Sequence, residues 1–137
     1  MAEHPKLFQA GVAGAGPYDL IKMTKGMRDN RQARRLAFEH WKQMVGTSSS
    51  RDKKNLMEQS PVNKVEQIEA PLFLYHGLID PVVPPAQSEA LAEALKKHNK
   101  NFRYYPLEGI PHSFGDPEQS NALHHHILKF LRAHLQP

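Results

Sequence analysis

Two residues in this chain have the types and surroundings to move a proton during acyl transfer. Asp80 ends the string His76-Gly77-Leu78-Ile79-Asp80 and is followed by Pro81-Val82-Val83-Pro84. His112 lies in Gly109-Ile110-Pro111-His112-Ser113-Phe114. An aspartate beside an imidazole can accept its Nδ1–H, fix the tautomer, and stabilise the imidazolium that forms when the other nitrogen takes a proton from a hydroxyl. Neither residue alone demands that reading. Asp-Pro is a common turn pair, and a histidine after proline can be a plain loop residue.

The elements around them decide whether the two could meet. Leu72 to Tyr75 is a continuous apolar run after a proline, too short for a helix and typical of a buried parallel strand. Ala10 to Ala13 and Phe102 to Tyr105 read as two further extended segments. A first helix is expected over about Asn30 to Val45, with Ala33, Leu36, Ala37, Trp41, Met44 and Val45 on one face. Asp29 and Gln32 would form its capping box, and Gly46 its C′ residue. A second helix is expected over about Pro85 to His98, with Leu91, Ala94 and Leu95 inward and Lys96 and Lys97 at its C-terminal dipole. A third begins at Asp116-Pro117-Glu118-Gln119 and runs to about His134, with Leu123, Ile127, Phe130, Leu131 and Leu135 as its apolar stripe. Thr47 to Ser60 reads as polar loop with a helical turn near Leu56 and Met57. Strand alternating with helix is the pattern of βαβ units. Ligands then bind at the carboxyl ends of the strands, where Asp80 and His112 both emerge.

Composition bounds the rest. With 137 residues, 39% of them hydrophobic, the chain makes one globular domain. No apolar run approaches the roughly 20 residues that span a bilayer, and the N-terminus lacks a signal-peptide core. There is no cysteine, which excludes disulfides, Cys-ligated zinc and thiolate catalysis and is compatible with a cytoplasmic setting. A formal net charge of +4 is ordinary, and the basic residues are dispersed rather than interleaved with aromatics, so a nucleic-acid partner is not expected. His124, His125 and His126 occupy consecutive helix positions that point in different directions, unlike the i, i+4 spacing of shared metal ligands. They read as a solvated face. His76 reads as a packing or hydrogen-bonding group beneath the Asp80 loop.

The strings Glu3 to Ala13, Ser60-Pro61-Val62, Ala70 to Pro84 and Gly109 to Phe114 resemble the C-terminal part of the prolyl oligopeptidase (S9) catalytic domain, acylaminoacyl-peptidase-like members above all. The order Asp before His also matches the Ser…Asp…His order of α/β-hydrolases. The resemblance implies a partial α/β-hydrolase fold over residues 1–137, made of the last strands of a parallel sheet with flanking helices. It implies a serine-type peptidase, with Asp80 as the triad acid and His112 as the general base. No cofactor or metal is implied, and the substrate would be a peptide, acyl amide or ester.

No Gly-x-Ser-x-Gly occurs in the 137 residues. In the family that nucleophile elbow precedes the His-Pro-x-Leu-Phe segment, here His4-Pro5-Lys6-Leu7-Phe8, so it would lie upstream of Met1. Ser113 adjoins His112 and cannot easily face it, and Ser48, Ser49 and Ser50 read as polar loop. The chain by itself is therefore expected to be inactive, and its first strand to have an open edge through which it could self-associate. Val82 stands where many members carry Arg or Asn, which leaves an esterase-like substrate open. The alternative is a non-catalytic remnant or interaction module that retains the back half of the fold.

Overall fold

The structure, a computed structural model, describes residues 1–29, 40–41, 43–46, 52–113, 115 and 117–135, with the backbone alone for Arg28 and Asp29. Three strands form its sheet: β1 (Gly11–Gly14), β2 (Leu72–Gly77) and β3 (Phe102–Leu107). Their order is β1-β2-β3 and both pairs are parallel, with Gly11 and Phe102 each opposite Leu72. Four helices are described: α1 (Leu20–Asp29), α2 (Lys53–Gln59), α3 (Ala86–Lys97) and α4 (Pro117–His134). Residues 40–41 and 43–45 are helical as well. Parallel strands alternating with helices are the βαβ arrangement that the sequence pattern predicts.

β2 is central, and its alternating side chains enter two different cores. Leu72 and Leu74 pack with Leu91 and Leu95 of α3 and with Val65 and Ile68. Phe73 points the other way, to Leu123 and Phe130 of α4. Its ring lies 5.5 Å from Phe130 and 6.1 Å from Tyr105. Burial on both faces explains why β2 reads as an unbroken apolar run. Phe73 has no exposed surface. Phe73→Ala should therefore destabilise the domain by about 3–5 kcal/mol, the usual range for emptying a large aromatic from a core. Urea denaturation should show this as a lower midpoint with an unchanged slope.

A third core joins α1, α2 and the helical residues Trp41 and Val45 to the loop after β2, through Leu20, Met23, Trp41, Val45, Leu56 and Val83. Trp41 Nε1 donates to Thr24 Oγ1 at 3.0 Å, and Leu20 N–H donates to Ser60 Oγ at 3.0 Å. Helix α1 was not expected. Asp19 caps it by accepting from Lys22 N–H at 3.0 Å, and Leu20, Met23 and Met27 line one face, but the interior Gly26 and the lysines dilute that pattern. Helix α2 likewise extends the single turn expected near Leu56.

The other expectations divide by residue. Gly46 takes the left-handed φ of 72° expected of a C′ glycine. Met44 was expected in the core beside Trp41, yet it is 60% exposed while Trp41 and Val45 are buried. Leu135 was expected to extend the α4 stripe, but the helix ends at His134 and Leu135 is exposed. Asp29 is the last residue of α1, while its expected capping partner Gln32, the positions Ala33, Leu36 and Ala37, the serines 48–50, Phe114 and Asp116 fall outside what is described.

Candidate active site

The loops leaving β2 and β3 come together at the carboxyl edge of the sheet. Leu78 N–H donates to Leu107 O at 2.9 Å and Ile79 N–H to Ile110 O at 3.3 Å, so the two strand exits are stitched directly. Gly77 permits this. A Cβ on it would lie 2.2 Å from the Ile110 carbonyl oxygen and 2.6 Å from that of Pro111, where no side chain fits.

Asp80 and His112 meet across the seam. His112 Nδ1 is 2.7 Å from Asp80 Oδ2. With the carboxylate as acceptor, Nδ1 carries the proton and Nε2 keeps its lone pair. The Asp80 side chain has no exposed surface, whereas that of His112 is 41% exposed. The imidazole is thus reachable from outside while its orienting group is shielded. Asp80 Oδ1 is fixed in turn by the backbone N–H groups of Val82 at 2.7 Å and Val83 at 2.9 Å.

Burial pushes the Asp80 carboxyl up, but the hydrogen bonds from His112, Val83 and Val82, with the attraction of the His112 ring, outweigh it. The group is held below the ordinary aspartate value. A depressed folded value means that the carboxylate adds stability in full above about pH 4, near its unfolded value. That contribution is lost as pH falls through the lower folded value. Unfolding free energies measured between about pH 5 and 2 should therefore fall more steeply for the native chain than for Asp80→Asn.

Histidine 76, placed by its sequence beneath the Asp80 loop, is fully buried there. Its Nε2 lies 2.9 Å from Val83 O and 3.2 Å from Asp80 Oδ2, and its Nδ1 lies 2.5 Å from Ser88 Oγ on α3. Gln87, beside Ser88, accepts from Tyr18 N–H and Asp19 N–H at 2.9 and 2.7 Å and so ties α3 to the segment after β1. Neither Ser88 nor Gln87 carries a mark in the sequence beyond its place in a helix.

Next to His112 opens an apolar cleft of about 360 Å³. Pro17, Met23, Met27, Trp41, Met44 and Val82 are among its walls. Ala15, which also lines it, has the unusual φ of 45°. Among the described residues no cluster of His, Asp or Glu is arranged to hold a metal ion, and no helix is long and apolar enough to cross a membrane. On α4, His124 and His125 are exposed as a solvated face requires, whereas His126 is half-buried against Tyr105, the rings tilted by 41° with centroids 4.6 Å apart.

The chain has counterparts among known proteins. The family model described as the prolyl oligopeptidase family matches residues 1–137. The chain belongs to that family. Among curated relatives, the dipeptidyl peptidase family member 6 of Caenorhabditis elegans is 30% identical over 132 residues, which are 93% of this chain and 17% of that protein. The dipeptidyl aminopeptidase BIII of Pseudoxanthomonas mexicana is 35% identical over 83 residues, 59% of this chain and 12% of that protein. The chain thus spans less than a fifth of either relative's length. Of solved structures, the acylaminoacyl peptidase of Pyrococcus horikoshii superposes with a TM-score of 0.82 at 20% identity, over 98% of this chain and 21% of that one. Superposition at that identity establishes the α/β-hydrolase fold of this prolyl oligopeptidase family member.

Proposed function

We propose that this chain supplies the acid and base of a serine hydrolase, an S9-type peptidase, whose nucleophilic serine lies in sequence outside these 137 residues. The 2.7 Å contact between His112 Nδ1 and Asp80 Oδ2 carries the reading, because it leaves His112 Nε2 free and oriented for a hydroxyl. In the complete enzyme, Nε2 takes the proton of the serine hydroxyl as its oxygen attacks the scissile carbonyl. Asp80 stabilises the resulting imidazolium, which returns the proton to the leaving amine or alcohol. Water then attacks the acyl-enzyme by the same route, with His112 again as base. These steps call for no metal or organic cofactor.

The cleft beside His112 is lined mostly by apolar side chains, with His40 among them, so it suits peptides, acyl amides or esters with an apolar group next to the scissile bond. Val82 borders the same cleft and offers a substrate neither charge nor hydrogen bond. Without a Gly-x-Ser-x-Gly elbow the 137 residues alone are inactive, since loss of a triad member costs orders of magnitude. A cytoplasmic setting fits the absence of cysteine. Among the described residues β1 has no strand on its outer side, and Val12 on it is 38% exposed, so that edge can take a further strand or a second copy.

The test is to mix the chain with a polypeptide that carries the elbow and the preceding strands, then to assay aryl esters and aminoacyl amides. Turnover should appear only in the mixture and favour apolar acyl groups. A missing elbow also favours a non-catalytic module, and a mixture that folds but never turns over would establish that reading instead.

A further inference from the structure

The hydrogen bonds of His76 point to a role that the Asp80–His112 pair does not use. We propose that His76, with its tautomer set by the Val83 carbonyl, is a positioning residue that holds the Asp80 carboxylate oxygen on which His112 depends. The inference rests on the triad reading for its purpose, though not for its geometry.

Val83 O can only accept, and it lies 2.9 Å from His76 Nε2, so that nitrogen carries the proton. Asp80 Oδ2 lies 3.2 Å from the same nitrogen, a close polar contact beside that hydrogen bond. Nδ1 is left with a lone pair, which the Ser88 hydroxyl satisfies as donor. His76 and Ser88 have no exposed surface, and neither does the Asp80 side chain, so water cannot substitute for a lost partner. Asp80 Oδ1 is held by two backbone N–H groups, whereas Oδ2 meets two imidazoles. One of these, His112, is half exposed and has to exchange protons during turnover. The other is locked in the core. His76 therefore keeps Oδ2 aimed while His112 cycles between its charged and neutral forms. Because β2 carries His76 and α3 carries Ser88, the sheet and a helix both fix the carboxylate.

Paired amide substitutions separate this role from packing. In His76→Gln the side-chain amide nitrogen falls near the position of Nε2 and can still donate toward Asp80. In His76→Asn it falls near Nδ1 and cannot. Both place one neutral amide in the same buried site, so a purely structural effect would move them together. The readout is the pH titration of the Asp80 carboxyl carbon by NMR, assigned by its loss in Asp80→Asn. The midpoint should rise toward the ordinary aspartate value in His76→Asn and stay low in His76→Gln, because an N–H donor favours the charged carboxylate. Equal midpoints in the two variants would overturn the proposal. In the unsubstituted chain, long-range proton–nitrogen correlations should show His76 protonated at Nε2, and protonation at Nδ1 alone would overturn it whether or not the variants fold. Neither measurement uses turnover, so a failed hydrolase assay leaves this result standing and a failed relay leaves the triad untouched.

Discussion

Replacing Asp80 by Asn should lower the turnover of the completed enzyme by about 10⁴-fold while barely changing its affinity for substrate. An amide fills the same space, but its NH₂ can donate to His112 Nδ1 and so favours the tautomer with the proton on Nε2, the nitrogen that must receive the serine proton. The imidazolium also loses its counter-charge. Loss of this orienting carboxylate in a Ser-His-Asp arrangement costs that order of rate, all of it in steps after binding. Here the substitution also disturbs the oxygen that holds the Val82 and Val83 N–H groups and the one that faces His76. Some of the effect will therefore appear as a lower unfolding midpoint, which circular dichroism separates from the kinetic loss. A kcat within tenfold of the parent would mean that His112 does not need Asp80.

Gly77→Ala should be the change most damaging to activity that touches no ionisable group. Its Cβ would stand 2.2 Å from a backbone carbonyl oxygen, so the loop carrying His112 has to move away from β2. Forcing a group into a filled site costs about 1–3 kcal/mol of stability. The functional cost is larger, because a shift of about 1 Å in a reacting group can lower rate about 10²-fold. The 2.7 Å bond between His112 and Asp80 spans the displaced seam and would lengthen with it. Thermal unfolding together with kcat in the completed enzyme checks both effects. Full activity would show that the close approach of the two loops is incidental.

How far the sequence reveals this arrangement varies from residue to residue. β2 is legible because burial on both faces demands an unbroken apolar run, and α3 and α4 because Pro85 and Pro117 mark their starts and regular apolar spacing their inner faces. Helix α1 is not, since Gly26 and three basic residues interrupt the apolar residues Leu20, Ile21, Met23 and Met27. Met44 shows the limit of helical spacing as a guide, for it follows the period of Trp41 yet lines a cleft open to solvent. At the site, Asp80 and His112 stand out because each lies in the loop leaving a strand, so that one topological rule brings them to a common edge. His76 is visible as a residue, but its partner Ser88 lies twelve positions on in a helix, where only the packing of α3 on β2 makes them touch. The need for glycine at position 77 depends on carbonyls more than thirty residues later in the chain. Such close approaches leave no local pattern.

The central claim is that His112 is the base for a serine supplied by other sequence. Its most direct test is the initial rate of aryl-ester hydrolysis in the mixture with an elbow-bearing polypeptide, compared between the native chain and His112→Ala. The account predicts a rate well above that of either component with the native chain, and none above background with His112→Ala. Equal rates with the two chains would contradict it.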